Sequence, residues 1–160
     1  MTDELKIRIG TPDDLDEVMA AAQAAIAEIG LVVPDTIKVL EDVWPALNQQ
    51  AGMVGIIGKP GGPIEGGVLL RMGKMWYSNQ DVLEERCVFI KPEFRNSKGG
   101  RARKLVEFSK SVAESLGVPL LIGVMSSVRT EAKVRLYERQ FGKPQGAVFL
   151  YNLHPQVQEG

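Results

Sequence analysis

Val88-Phe89-Ile90-Lys91-Pro92-Glu93-Phe94-Arg95-Asn96-Ser97-Lys98-Gly99-Gly100-Arg101-Ala102 is the stretch from which the rest of the chain can be ordered. An apolar run stops at a proline, and a polar loop with two glycines follows. A helical pattern then begins, predicted over Lys98–Leu116, with Ala102, Leu105, Val112, Ala113 and Leu116 on one face and Gly117 as its stop. The first N–H groups of a helix have no partner within it, and glycines let an anion come close to the backbone, so a strand–loop–helix of this kind is a candidate phosphate site. Local charge agrees. From Lys91 to Lys110, seven basic residues (Lys91, Arg95, Lys98, Arg101, Arg103, Lys104 and Lys110) face only Glu93 and Glu107. That segment carries +5, so the remainder of a chain with net charge −1 carries −6. A solvated basic helix after a flexible loop would show the same composition. The loop is neither a nucleotide-binding P-loop nor a dinucleotide fingerprint, because no G-x-x-x-x-G-K-[ST] and no G-x-G-x-x-G occurs.

Upstream, Lys6–Ile9 reads as a short strand, and Thr11-Pro12-Asp13-Asp14 as a capped helix start. Leu15, Val18, Met19, Ala22, Ile26 and Ile29 follow at helical spacing up to Gly30. A second helix is predicted over Asp35–Leu47, ended or kinked by Pro45. Met53–Gly58 and Ile64–Met72 form a hairpin around Lys59-Pro60-Gly61-Gly62-Pro63, and Val82–Ile90 is a third strand after it. Downstream, Val118–Met125 reads as a strand buried on both faces, Glu131–Gln140 as a short helix, and Ala147–Leu153 as a last strand. The order β-α-α-β-β-β-α-β-α-β implies one α/β domain over residues 1–160, with its core at about 5–153. Its mixed, mostly antiparallel sheet has helices on both faces.

The totals exclude several chemistries. With 160 residues the chain is of single-domain size, and 44% hydrophobic residues belong to a folded protein. One cysteine, Cys87, allows no intrachain disulfide and no cysteine zinc cluster. One histidine, His154, stands six residues from the end, which argues against a Ser-His-Asp triad, a Cys-His pair or a multi-histidine metal site. No metal is expected. No apolar run approaches the roughly 18 residues that span a bilayer, so the expected location is cytoplasmic, with no membrane partner.

The decisive stretch resembles the signature of the GNAT superfamily of acyl-CoA-dependent N-acyltransferases. Ile90-Lys91-Pro92 stands at V-x-P, and Arg95 to Gly100 at [RQ]-x-x-G-x-[GA], where Arg95 and Gly100 match and Lys98 replaces the first glycine. Leu136-Tyr137-Glu138-Arg139-Gln140-Phe141-Gly142 resembles the second signature, L-Y-[ED]-[KR] near a glycine–phenylalanine pair, here in reversed order. The altered loop is similar to that of phage-associated members. The element order matches from Leu5 to about Leu153.

The resemblance implies an N-acetyltransferase that moves acetyl from acetyl-CoA to a primary amine by direct attack. The pyrophosphate would sit on Arg95, Asn96, Ser97, Lys98, Gly99, Gly100, Arg101 and Ala102, and the pantetheine arm along Val88, Phe89 and Ile90. Tyr137 would protonate the leaving thiolate. Glu84, eleven residues before Arg95 and on the strand, would be the base, unless water serves. Trp44, Trp76 and Tyr77 are candidate walls of an acceptor pocket, although aromatics of this kind also fill cores. The implied partners are a small-molecule or peptide amine and a second copy in a homodimer. Two other readings stand beside this one: an acyl-CoA-binding or interaction module with the same fold and no turnover, and a nucleic-acid-binding domain using the +5 segment. The second is disfavoured because Phe94 and Phe108 alone interleave with the basic residues of that segment.

Overall fold

The computed structural model describes residues 4–95, 98–126 and 130–153. Five strands and four helices alternate as β1 (Lys6–Ile9), α1 (Leu15–Ile29), α2 (Thr36–Leu47), β2 (Gly52–Gly58), β3 (Gly66–Lys74), β4 (Asp81–Ile90), α3 (Arg101–Leu116), β5 (Leu120–Ile122) and α4 (Thr130–Phe141), with 3-10 turns at Pro12–Asp14 and Pro92–Phe94. The strands lie side by side in chain order. β1 to β4 pair antiparallel, β2–β3 and β3–β4 through hairpins and β1–β2 across the α1–α2 connection, and β5 returns parallel to β4 through α3. The mixed, mostly antiparallel sheet expected from the element order is therefore present.

Period-two alternation divides the sheet between two cores. Val54 and Ile56 on β2 and Leu69 on β3 pack with Val18 of α1 and Val43, Ala46 and Leu47 of α2. Met53 and Ile57 on β2 and Val68, Leu70 and Met72 on β3 pack with Leu105 and Ala113 of α3. A glycine lets α3 come close: a Cβ on Gly55 would stand 2.5 Å from the Phe108 ring. α2 starts on Asp35, whose side chain accepts from the N–H groups of Ile37 and Lys38 at 2.9 and 3.1 Å. Pro45 lies in its last turn, and the helix ends two residues later.

Three expected elements differ. α3 begins at Arg101 and not at Lys98, because Gly99 and Gly100 take φ of +129° and +59° and leave the helical region. β5 is three residues long and not eight, and it is not buried on both faces: Leu121 is exposed, because β5 is the sheet's edge and has a strand on one side only. Ala147–Leu153 forms no strand. Phe149 is 93% and Tyr151 98% exposed, and no β5 backbone is paired to them.

Candidate active site

The site is made by two irregularities in β4. Its ladder with β3 pairs Leu70 with Glu85 but Leu69 with Cys87, so Arg86 is an extra residue, a β-bulge. The core assignments record the consequence. Leu83 packs on the α3 face and so do Val88 and Ile90, whereas Cys87 and Phe89 pack on the α1–α2 face. The parity of the strand switches at the bulge. The second irregularity is on the other edge. β5 pairs with β4 only at Leu83↔Leu120, Glu84↔Leu121 and Glu85↔Ile122. From Arg86 onward the two parallel strands have parted, and among the described residues β4 has a strand partner only on its β3 side.

Glu85 therefore sits at the vertex of an opening between two parallel strands. α4 lays Tyr137 across it, and the phenol O–H donates to Glu85 Oε1 at 2.6 Å. Glu85 Oε2 is buried and has no hydrogen-bond partner among the described residues. Burial pushes the Glu85 carboxyl up to about 7, against the smaller opposing pull of the Tyr137 bond. The Tyr137 phenol is raised above its usual value, first by burial, then by the charge of Glu85 and the hydrogen bond to it. Cys87, one step along β4, is a free thiol raised to about 12 by burial and then by Glu85, with Lys133 of α4 acting the other way. A thiol that holds its proton so firmly is no nucleophile at neutral pH. The half-buried Tyr137 ring stacks on Phe141 of the same helix, with centroids 6.4 Å apart.

Glu84, next to Glu85 and before the bulge, points to the opposite face of β4. Its Oε1 accepts from Arg86 Nη1 at 3.0 Å, and Arg86 Nε also reaches Asp42 of α2 at 3.3 Å. Glu84 and Val88, four residues apart, fall on opposite faces because of the extra residue at Arg86. The structure brings Glu85, and not Glu84, to Tyr137. The spacing to Arg95 that singled out Glu84 carried no signal for its neighbour Glu85.

At the far end of β4 the loop to α3 is pinned by its own arginines. Arg95 Nε donates to the Ile90 carbonyl at 3.0 Å, and Nη2 donates to Glu28 of α1 at 2.9 Å. Arg101 turns inward: its side chain is 8% exposed, bonded at 2.7 Å to Glu65, itself 4% exposed. It also donates to the Lys98 carbonyl at 3.1 Å and lies 5.1 Å from the Phe94 ring centre. Lys91 and Arg103 pair with Glu17 and Glu107. Four of the seven cations of the +5 segment thus have carboxylate partners within the fold. Lys98 is exposed, and among the described residues no side chain caps the N-terminus of α3, where the N–H groups of Arg101 and Ala102 begin the helix. Asn96 and Ser97 lie outside the described residues.

The three aromatic candidates do not share a wall. Trp44 lines a shallow depression of about 540 Å³ with Leu15, Ile37, Leu40, Glu41 and Pro45. Trp76 and Tyr77 stack edge to face on each other in the turn after β3, both exposed. Among the described residues no three or more His, Cys, Asp or Glu converge as a metal site, and no helix is long and apolar enough to cross a membrane.

No protein-family model and no curated protein sequence matches the chain. Solved structures do. AAC(6')-Iy in complex with a bisubstrate analog, CoA-S-monomethyl-acetylneamine, superimposes with a TM-score of 0.69 at 14% identity, covering 94% of this chain and 99% of the other. A ribosomal-protein-alanine N-acetyltransferase from Brucella melitensis biovar Abortus 2308 gives 0.66 at 14%, covering 94% and 99%. The aminoglycoside acetyltransferase meta-AAC0020 from an uncultured soil metagenomic sample gives 0.59 at 16%, covering 96% and 97%. Its strand order, its one parallel pair at β4–β5 and these superpositions give the chain the fold of the GNAT-like acetyltransferases.

Proposed function

We propose that the chain is an N-acetyltransferase that moves an acetyl group from acetyl-CoA to a primary amine by direct attack, with no covalent enzyme intermediate. The observation that carries this reading is the Tyr137–Glu85 pair at the point where β4 and β5 part, because it places a protonated phenol beside an open strand edge. A neutral amine nitrogen attacks the thioester carbonyl carbon, the C–S bond breaks, and Tyr137 gives its proton to the departing thiolate. Water carries the proton away from the ammonium nitrogen, since Glu84 is held by Arg86. The edge of Val88 to Ile90 is suited to the amide-bearing arm of the co-substrate. The uncapped start of α3 behind Gly99 and Gly100 is suited to its phosphates, with Lys98 as the exposed cation. One of the three solved structures named above is an aminoglycoside acetyltransferase by name, and the −6 carried outside the basic segment suits cationic amines of that general kind.

Acetyl-CoA-dependent thiol release, screened over an amine library, tests the reading. Thiol release with at least one amine is expected. Acetyl-CoA binding with no turnover on any amine would leave a binding module instead. The phosphate loop has its own test. Valine at Gly100 would cost about 1–2 kcal/mol of backbone strain at φ +59° and would bring its Cβ to 3.4 Å from the Arg103 guanidinium at the start of α3. The Gly100→Val protein is expected to show no acetyl-CoA binding by calorimetry, and unchanged affinity would remove the phosphates from this loop.

A further inference from the structure

We propose that Glu85 is a positioning residue and proton store for Tyr137: protonated, it donates to the phenol oxygen, turns the phenol O–H toward the leaving thiolate, and replaces the proton that the phenol gives up. The inference rests on the acetyl-transfer reading above and adds to it the source of the proton.

The geometry argues for it in two ways. First, an ionised carboxylate needs donors at both oxygens, and here, among the described residues, one oxygen has only Tyr137 while the other is buried without a partner. In that state the phenol proton is spent on Glu85 and is not directed at the opening. Adding a proton to Glu85 reverses the 2.6 Å bond: the carboxyl donates, the phenol oxygen accepts, and the phenol O–H is released to point elsewhere. Secondly, the phenol alone is poorly matched to its task. Its pKa is raised above 10, while an ordinary thiolate accepts a proton with a pKa of about 8.5. With the carboxyl at about 7 as the ultimate donor, transfer to the thiolate runs downhill. Among the described residues the groups facing the pair are few. β4 adds Cys87, which stays protonated, and α4 adds Lys133, which acts on Cys87. Leu70 on β3 and Ile122 on β5 flank Glu85 in the ladder, and α3 presents Leu105 and Ala113 to the same face.

The step balances. Amine, acetyl thioester, neutral phenol and protonated Glu85 go to N-protonated amide, free thiol, neutral phenol and Glu85 carboxylate as the C–N bond forms and the C–S bond breaks. The extra proton on nitrogen then returns to Glu85 through water, and the pair is reset with no net gain or loss.

The test is the pH profile of kcat for thiol release, with acetyl-CoA and the best amine of the screen. In the wild type, kcat is expected to fall about tenfold per pH unit above about 7. Glutamine in place of Glu85 can hold the phenol but has no proton to give. Glu85→Gln is therefore expected to be at least about tenfold slower at pH ~6 and to lack the alkaline fall, with acetyl-CoA affinity unchanged. A wild type without that fall overturns the relay, as does a Glu85→Gln protein that keeps it or matches the wild-type rate at pH ~6. If Glu85→Gln does not fold, infrared difference spectra of the wild type must show a buried carboxyl C=O band titrating with the kinetic fall and shifted in Tyr137→Phe; no such band overturns the relay. Inactivity of the wild type toward every amine overturns acetyl transfer and the relay together, whereas an active wild type with an unaltered Glu85→Gln profile overturns the relay alone.

Discussion

Tyr137→Phe is expected to lower turnover by about 10²–10⁴-fold while leaving acetyl-CoA affinity unchanged. The change removes one oxygen. The ring keeps its place, because its stacking on Phe141 and its seat on α4 do not involve the hydroxyl. What disappears is the donor to the thiolate and the hydrogen bond to Glu85. Glu85 then has no partner at either oxygen, so burial holds it protonated to higher pH and no charge is stranded in the site. The measurement is thiol release at saturating amine, with calorimetry of acetyl-CoA on the same protein. A fall in affinity as large as the fall in rate would make Tyr137 a structural tyrosine, and an unchanged rate would remove it from the chemistry.

The second large effect concerns the loop rather than the proton. Arg101→Ala is expected to destabilise the protein by about 3–5 kcal/mol, because it leaves Glu65 as an uncompensated buried charge. Glu65 Oε2 would retain the Lys59 N–H at 3.2 Å, but Oε1, which receives Arg101 at 2.7 Å, would have nothing. The Lys98 carbonyl and the face of Phe94 lose their contacts with Arg101 in the same substitution. Urea unfolding gives the measurement, and a loss below about 1 kcal/mol would mean that the pair is solvated. Replacing both members by apolar residues, as in Glu65→Leu with Arg101→Met, is expected to recover most of the loss, since the cost arises from breaking the pair rather than from lacking it.

Much of this site was legible from residues near one another in the chain. Tyr137 was marked by its place in Leu136-Tyr137-Glu138-Arg139, and the loop by Gly99-Gly100 between a strand and a helix. Glu84 was singled out by its spacing from Arg95, and the structure puts its neighbour Glu85, not Glu84, in contact with Tyr137. The change of parity along β4 was not legible either, because alternation assumes one residue of β4 for each of β3, and the ladder spends two at Arg86. The ion pairs of the basic loop were not legible for a similar reason. Arg95 and Arg101 carry the charge that a phosphate would want, but their carboxylates are Glu28 and Glu65, 67 and 36 residues away. Pairing across such separations leaves no mark on local composition. The last strand failed differently. Ala147–Leu153 has strand-forming residues, but a strand exists only where another accepts its hydrogen bonds, and β5 offers it no ladder here.

What the sequence determined by itself is the order of elements, the turn from antiparallel to parallel pairing, and the strand–glycine loop–helix with which the reading began. These follow from spacing, glycine φ and connection length, which act over a few residues. The tertiary structure alone decided which glutamate meets Tyr137, which arginines are spent inside the fold, and where β4 and β5 part. Each of these depends on the register between strands or on burial against a distant element. The same burial turns Glu85 from an ordinary surface acid into one that holds its proton near neutrality.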